Sequence, residues 1–370
     1  MVKVPSDRPR RSASWLKVVQ RAARSGPVDQ AAIALNLGLL LAGQGDADGA
    51  KAAYQRAIDS GHADAAPQAA VSLGVLLAGL EDADGARTAY QRAIDSGHAD
   101  AASTAAVNLG LLLADLGDID GAKAAYQRAI DYGHASQAPR AALSLGNLLA
   151  GLGDVDGAKA AYQRAIDSGH ADTAPQAAVS LGILLANQGD ADGAKAAYQR
   201  AIDSGHADHA PLAAVNLGLL LAGLGDADGA KAAYQRAIDS GHADHAPAAA
   251  VSLGVLLAGQ GDIDGARTAY QRAIDSGHAR QAPAAAVNLG VLLANQGDAD
   301  GAKAAYQRAI DSGHADHAPL AAVNLGLLLA GQGDINGAKA ACQRAIDSGH
   351  AVLQSQALRL LVMLDSCGGS

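Results

Sequence analysis

Apolar residues along this chain recur at helical spacing, stop, and start again. From residue 31, Ala34, Leu37, Leu40 and Leu41 fall on one side of a helix before Gly43 and Gly45 interrupt them. Glycine supports the left-handed conformation that closes a helix, so the sequence predicts a break at Gly45. Asp46 then stands where a side-chain N-cap is expected, and Asp48 falls in a first turn, where a carboxylate opposes the helix dipole. Ala50, Tyr54, Ala57 and Ile58 form the apolar stripe of a second helix, which Gly61 ends. Asp64 is expected to cap the next helix, with Pro67 in its first turn, where a missing N–H costs little.

The same pattern returns along the chain. Tyr54, Tyr90, Tyr126, Tyr162, Tyr198, Tyr234, Tyr270 and Tyr306 are each 36 residues apart, and Cys342 continues the series. The pair Leu37–Gly38 recurs nine times at the same interval. The units are set at 31–66, 67–102 and onward to 319–354. Gly38 and Ala50 are small residues on facing helices, with Tyr54 as the one large plug per unit. A larger residue at Gly38 is expected to overpack the pair by about 1–3 kcal/mol. Glu81 stands where the other units have a Gly45-type glycine, so that turn is expected to be strained or remodelled.

The unit resembles the tetratricopeptide repeat at Leu37, Gly38, Ala50 and, with Tyr for Phe, Tyr54; Ala57 also fits. It departs at Ala34 and Leu41, where the family has Trp and Tyr. The connection Gly61-His62-Ala63-Asp64 looks like that of Sel1-like repeats, whereas the shorter turn Gly45-Asp46 looks like the tetratricopeptide form. The resemblance covers residues 31–354. It implies an all-α solenoid, a right-handed superhelix of stacked antiparallel helix pairs. Atypical ends are expected for such a stack. Residues 1–12 read as a basic flexible tail and 13–30 as an N-terminal capping helix, in which Gln20-Arg21-Ala22 echoes Gln55-Arg56-Ala57. Residues 355–370 read as a C-terminal capping helix with a short Gly/Ser tail. There Val362 replaces the usual glycine, so no tight helix partner is expected to follow.

Composition narrows the function. Aromatics are 3% of the chain, with no Phe, which fits helices packed closely through small side chains. Residues 1–30 carry +5 and the remainder −14. An acidic body disfavours nucleic acid, which needs clustered cations. Two cysteines, Cys342 and Cys367, make no disulfide framework and point to a reducing, cytoplasmic setting. The start lacks the apolar run and cleavage site of a secretory signal, and no stretch reads as a membrane span.

No nucleophile–base pair, phosphate-binding loop or cofactor motif is present, so the chain reads as non-catalytic, with no cofactor. Asp46-Ala47-Asp48-Gly49 superficially resembles a calcium loop, but Ala57 stands where a bidentate Glu is needed, and capping explains both carboxylates. Histidine recurs at His62, His98 and onward to His350, and three units add a second one, as in His242/His245. Zinc wants three or four ligands, so these read as exposed turn residues rather than a metal site.

The resemblance implies a groove lined by the first helices. Two apolar columns are expected there, one through Leu35, Val71 and Val107, the other through Leu39, Val75 and Leu111. Between them runs a polar ladder containing Asn36, Asn108, Asn216, Asn288 and Asn324. In the fourth unit Arg140 and Asn147 are expected to face the groove near Asn108, as its most selective spot. The expected partner is a protein or peptide segment. Self-association into a homo-oligomer, or service as a regulatory module beside a separately encoded enzyme, are the alternatives.

Overall fold

The structure, a computed structural model, describes residues 27–367. Nineteen helices and no strands are found among the described residues. The expected basic tail and most of the expected N-terminal helix lie outside them. The chain divides within one helix into two compact units, residues 1–177 and 178–370.

In the first unit, first and second helices alternate. They are α1 (Pro27–Gly43) and α2 (Ala47–Asp59), α3 (Ala65–Gly79) and α4 (Ala83–Asp95), α5 (Ala99–Asp115) and α6 (Ile119–Asp131), and α7 (Gln137–Gly151) and α8 (Val155–Asp167). The division falls in α9 (Thr173–Asn187). The second unit continues with α10 (Ala191–Asp203), α11 (His209–Gly223), α12 (Ala227–Asp239), α13 (His245–Gly259), α14 (Ile263–Asp275) and α15 (Gln281–Asn295). It closes with α16 (Ala299–Asp311), α17 (His317–Gly331), α18 (Ile335–Asp347) and α19 (Ala351–Cys367). Among α1, α3, α5 and α7, and among α11, α13, α15 and α17, each first helix packs on the second helix of its pair and successive first helices touch, as do α17 and α19.

Local chemistry sets the boundaries. The Asp46 carboxylate accepts the Gly49 N–H at 2.9 Å, and its counterparts do the same in the later pairs. Gly49 leaves room for that carboxylate, which lies where a Cβ would be. Gly45 closes the first helix at φ +80°. Glu81 keeps the same left-handed turn at φ +62°, so the backbone there is strained rather than remodelled.

The core is a seam of small residues around one ring per pair. A Cβ added to Gly38 would sit 2.5 Å from the Tyr54 ring, and one on Gly110 would meet the Tyr126 ring at the same distance. The glycine therefore receives the tyrosine itself, not only a close backbone. In the last pair Cys342 replaces the tyrosine. There Leu360 of α19 comes within 3.4 Å of where a Cβ on Gly326 would stand, and fills part of the vacated space.

The connections correct one expectation. Asp64 makes no side-chain cap. Its backbone is in the right-handed helical region, and the His62 Nδ1 accepts the N–H groups of Asp64 and Ala65 at 3.2 Å instead. The other ring nitrogen reaches back one pair: His98 Nε2 lies 3.5 Å from Asp64, His134 3.1 Å from Asp100, and His242 3.3 Å from Asp208. These half-buried histidines cap one helix and tie it to the preceding connection, so they are not simply exposed turn residues.

Candidate functional site

Each first helix leaves one stripe open. On α5 it runs through Thr104, Asn108, Leu111 and Asp115, and on α7 through Arg140, Ser144, Asn147 and Gly151. These positions fall within a narrow arc of the helix. Of the two expected apolar columns, only one is exposed. Leu39, Val75 and Leu111 in the first unit, and Leu219, Val255, Val291 and Leu327 in the second, are about half exposed, from 40% to 54%. The column through Leu35 is largely buried: Val107 is 1% exposed and Val179, Val287 and Val323 are also buried, while Val71 and Val251 are half-buried. Positions 35 and 39 are only about 40° apart around a helix, and that small turn is enough to carry the first against its neighbours.

The expected ladder borders the open column. Asn36 is exposed, and Asn108, Asn216, Asn288 and Asn324 are half-buried. No hydrogen bond to these five side chains occurs among the described residues. Asn147 differs. Its Oδ1 accepts the Tyr162 hydroxyl at 2.8 Å, so its side chain is engaged within its own pair. Arg140 is exposed, with its Nη1 3.4 Å from Gln137 Oε1. Arg140 and Asn147 thus share a helix face but not a contact.

The tyrosine hydroxyls bring the seam to this surface. Burial pushes Tyr126 up to about 12, the Asp115 charge adds to the shift, and a hydrogen bond with Ser144 opposes it. Asp115 lies on the open stripe at a position that the repeat pattern alone does not single out. It stands where Gly43, Gly79 and Gly151 end other first helices, and that substitution is the available signal. The open stripe around α5 and α7 therefore carries Arg140 toward one end, Asp115 at the other, and amides and apolar groups between.

Much of the remaining charge lies on the second helices. Arg92 reaches Asp59 at 3.6 Å and Arg128 reaches Asp95 at 3.7 Å, linking successive second helices across the exposed surface. Such exposed pairs contribute little to stability. The His242 and His245 rings stack with centroids 4.4 Å apart, and the other two histidine pairs are tilted at 4.6 Å. Burial and the neighbouring His242 hold His245 below its ordinary value, His209 adds to this, and Asp244 and Asp208 oppose it. No group of three or more metal-ligating side chains is arranged around a common point among the described residues. No described helix is long and apolar enough to cross a membrane.

Three solved structures are similar to part of this chain. The C-terminal part of a TPR repeat-containing protein from Cytophaga hutchinsonii is 15% identical, with a TM-score of 0.50, covering 65% of this chain and 94% of that one. BtubC from P. vanneervenii is 22% identical, with a TM-score of 0.45, covering 53% and 89%. YrrB, described as a TPR protein with an unusual peptide-binding site, is 24% identical, with a TM-score of 0.37, covering 50% and 91%. No functionally curated protein sequence matches the chain. The Tetratricopeptide repeat family matches residues 16–61, 35–104, 107–178, 179–245, 215–286, 251–316 and 287–352. With matches over most of its length, the chain belongs to the tetratricopeptide repeat family.

Proposed function

We propose that this chain is a non-catalytic scaffold that holds a peptide or protein segment on the open stripes of its first helices. Proteins of this family generally mediate protein–protein interaction, which supports the coarse reading. The observation that carries the finer one is the repeated row of half-exposed apolar side chains, Leu39, Val75 and Leu111 and their later counterparts. Solvent-facing apolar rows of this kind mark interaction surfaces. The amides of Asn36, Asn108, Asn216, Asn288 and Asn324 border that row and offer both donors and acceptors to a ligand backbone.

Selectivity is greatest near α5 and α7, where Arg140 and Asp115 supply opposite charges and Asn147 interrupts the apolar column. Asn147 acts mainly by presenting a polar surface, because Tyr162 occupies its carbonyl oxygen. The test is selection of binders from a random peptide library displayed on phage, followed by titration of a selected peptide. Leu111→Asp is expected to weaken binding by about tenfold or more, since it buries an unpaired charge. Lys123→Asp, on a second helix, is expected to leave affinity unchanged. Equal binding by wild type and Leu111→Asp would remove this reading.

A further inference from the structure

The helix α19 is built like a first helix, but the face that a second helix should cover is open. In α3, Pro67, Ala70, Gly74 and Leu77 form that face and are buried beneath α4. The equivalent residues on α19 are Ser355, Leu358, Val362 and Asp365. All four are exposed, Leu358 at 47% and Val362 at 68%. The opposite side of the helix is well packed, with Leu353, Ala357, Leu360 and Leu364 buried. Asp365 is held by Lys339 of α18, so the apolar part of the open face is centred on Leu358 and Val362.

What could cover this face is constrained by Val362. Glycine at that position elsewhere has a tyrosine ring where its Cβ would be, 2.5 Å away for Gly38 and Tyr54. Valine therefore excludes a second helix carrying tyrosine at the facing position. Besides α18, which carries Cys342 at that position and already packs on α17, one segment of the second-helix type lacks that tyrosine. Residues 18–26, Val-Val-Gln-Arg-Ala-Ala-Arg-Ser-Gly, match 53–61, Ala-Tyr-Gln-Arg-Ala-Ile-Asp-Ser-Gly, at Gln20, Arg21, Ala22, Ser25 and Gly26. Val19 stands in the place of Tyr54, and the family match itself begins at residue 16. A Gly–Tyr pair is thus exchanged for a Val–Val pair, with the bulk moved from one helix to the other.

Charge gives the same register. Arg92 pairs with Asp59, and Arg128 with Asp95, between successive second helices. Asp347 of α18 is the next acceptor in that series. It is exposed and accepts from Gln343 at 2.7 Å, as Asp59 does from Gln55 at 2.6 Å. The arginine of the matching segment is Arg21. Residues 1–30 carry +5 against −14 for the rest of the chain, which favours the approach of this segment to another body.

We propose that the open face of α19 receives residues 13–26 of a second copy of this chain, with Val19 against Val362 and Arg21 beside Asp347. The two helices complete one further pair across the junction. The contact is head to tail and heterologous, so repetition extends it into a chain of copies. At the other end, Leu40 of α1 is 53% exposed, whereas its counterparts in the later first helices, such as Leu76 and Leu112, are half-buried. A segment joined directly to α1 has an apolar surface on either side to cover, its own α1 and the α19 of the other copy. This interface does not depend on the proposed peptide groove.

Light scattering and sedimentation across a concentration series test it on the full chain. Mass should rise with concentration for the wild type. Val19→Tyr should weaken association by about tenfold or more, because its ring meets Val362. Combining it with Val362→Gly should restore association. Arg21→Asp and Asp347→Arg should each weaken association, and the double variant should recover it. Unchanged circular dichroism in each variant shows that the fold persists. Cysteines introduced at positions 19 and 362, in a Cys367→Ser background, should cross-link separate copies. A constant monomer mass for the wild type would overturn the proposal, as would cross-links confined to single chains or failure of both double variants to recover.

Discussion

The seam inside each helix pair and the open stripe outside it differ in what they tolerate. At the seam, Gly38 and Tyr54 meet so closely that one added carbon lands within the ring, and the same fit recurs at Gly110 and Gly254. On the stripe the equivalent positions carry Leu39, Val75, Leu111, Asn147, Ile183 and Val255 without disturbing the pair beneath. Close packing allows one solution, whereas a solvated stripe allows many. The stripe can therefore vary from pair to pair while the packing beneath it stays constant. The last pair shows how the seam changes when its tyrosine is lost: Cys342 is buried, and α19 supplies Leu360.

Breaking the seam should have the largest effect. Gly110→Val is expected to destabilise the protein by about 1–3 kcal/mol, read by chemical denaturation, while Leu111→Ala beside it changes stability little. Relieving backbone strain comes next. Glu81→Gly is expected to raise stability by about 1 kcal/mol, because glycine removes the left-handed penalty. His242→Ala should cost about 1 kcal/mol through the lost helix cap. The same substitution at His245 should cost less, because it removes stacking but no cap.

Titration separates the two regions further. The buried tyrosines favour the neutral phenol, with Tyr90 and Tyr126 pushed up to about 12 from 10.0. Their contribution is fully present below pH 10 and is lost as pH rises toward 12, so melting temperature should fall over that window. His245 and His317 are lowered from 6.5, mainly by burial. They stabilise the neutral-histidine fold above that value, and the contribution fades as pH falls through their folded range. The acid effect should be the smaller of the two, measured as a shift in unfolding midpoint that His245→Gln reduces.

Features set by a few neighbouring residues were legible in the sequence. Asp46 caps a backbone N–H three residues away, Gly45 takes a positive φ, and Glu81 marks the strained turn. The helix pairs follow because the apolar stripe, the capping carboxylate and the closing glycine agree. The connection was harder, since His62 and Asp64 lie in one turn and either side chain can accept a capping bond. The helical backbone of Asp64 decides for His62. The open stripe was legible only in part. Val107 and Leu111 are alike in chemistry and nearly aligned on the helix, so only neighbouring helices separate buried from exposed. Nor does the sequence reveal that Tyr162 engages Asn147, because that bond joins two helices.

Site-specific photo-cross-linking of a selected peptide tests the central claim most directly. With the photoreactive residue placed in turn at Leu111 on α5 and at Gln127 on α6, the account predicts adducts from position 111 and none from 127. Adducts from position 127 alone would contradict it and move recognition to the second helices.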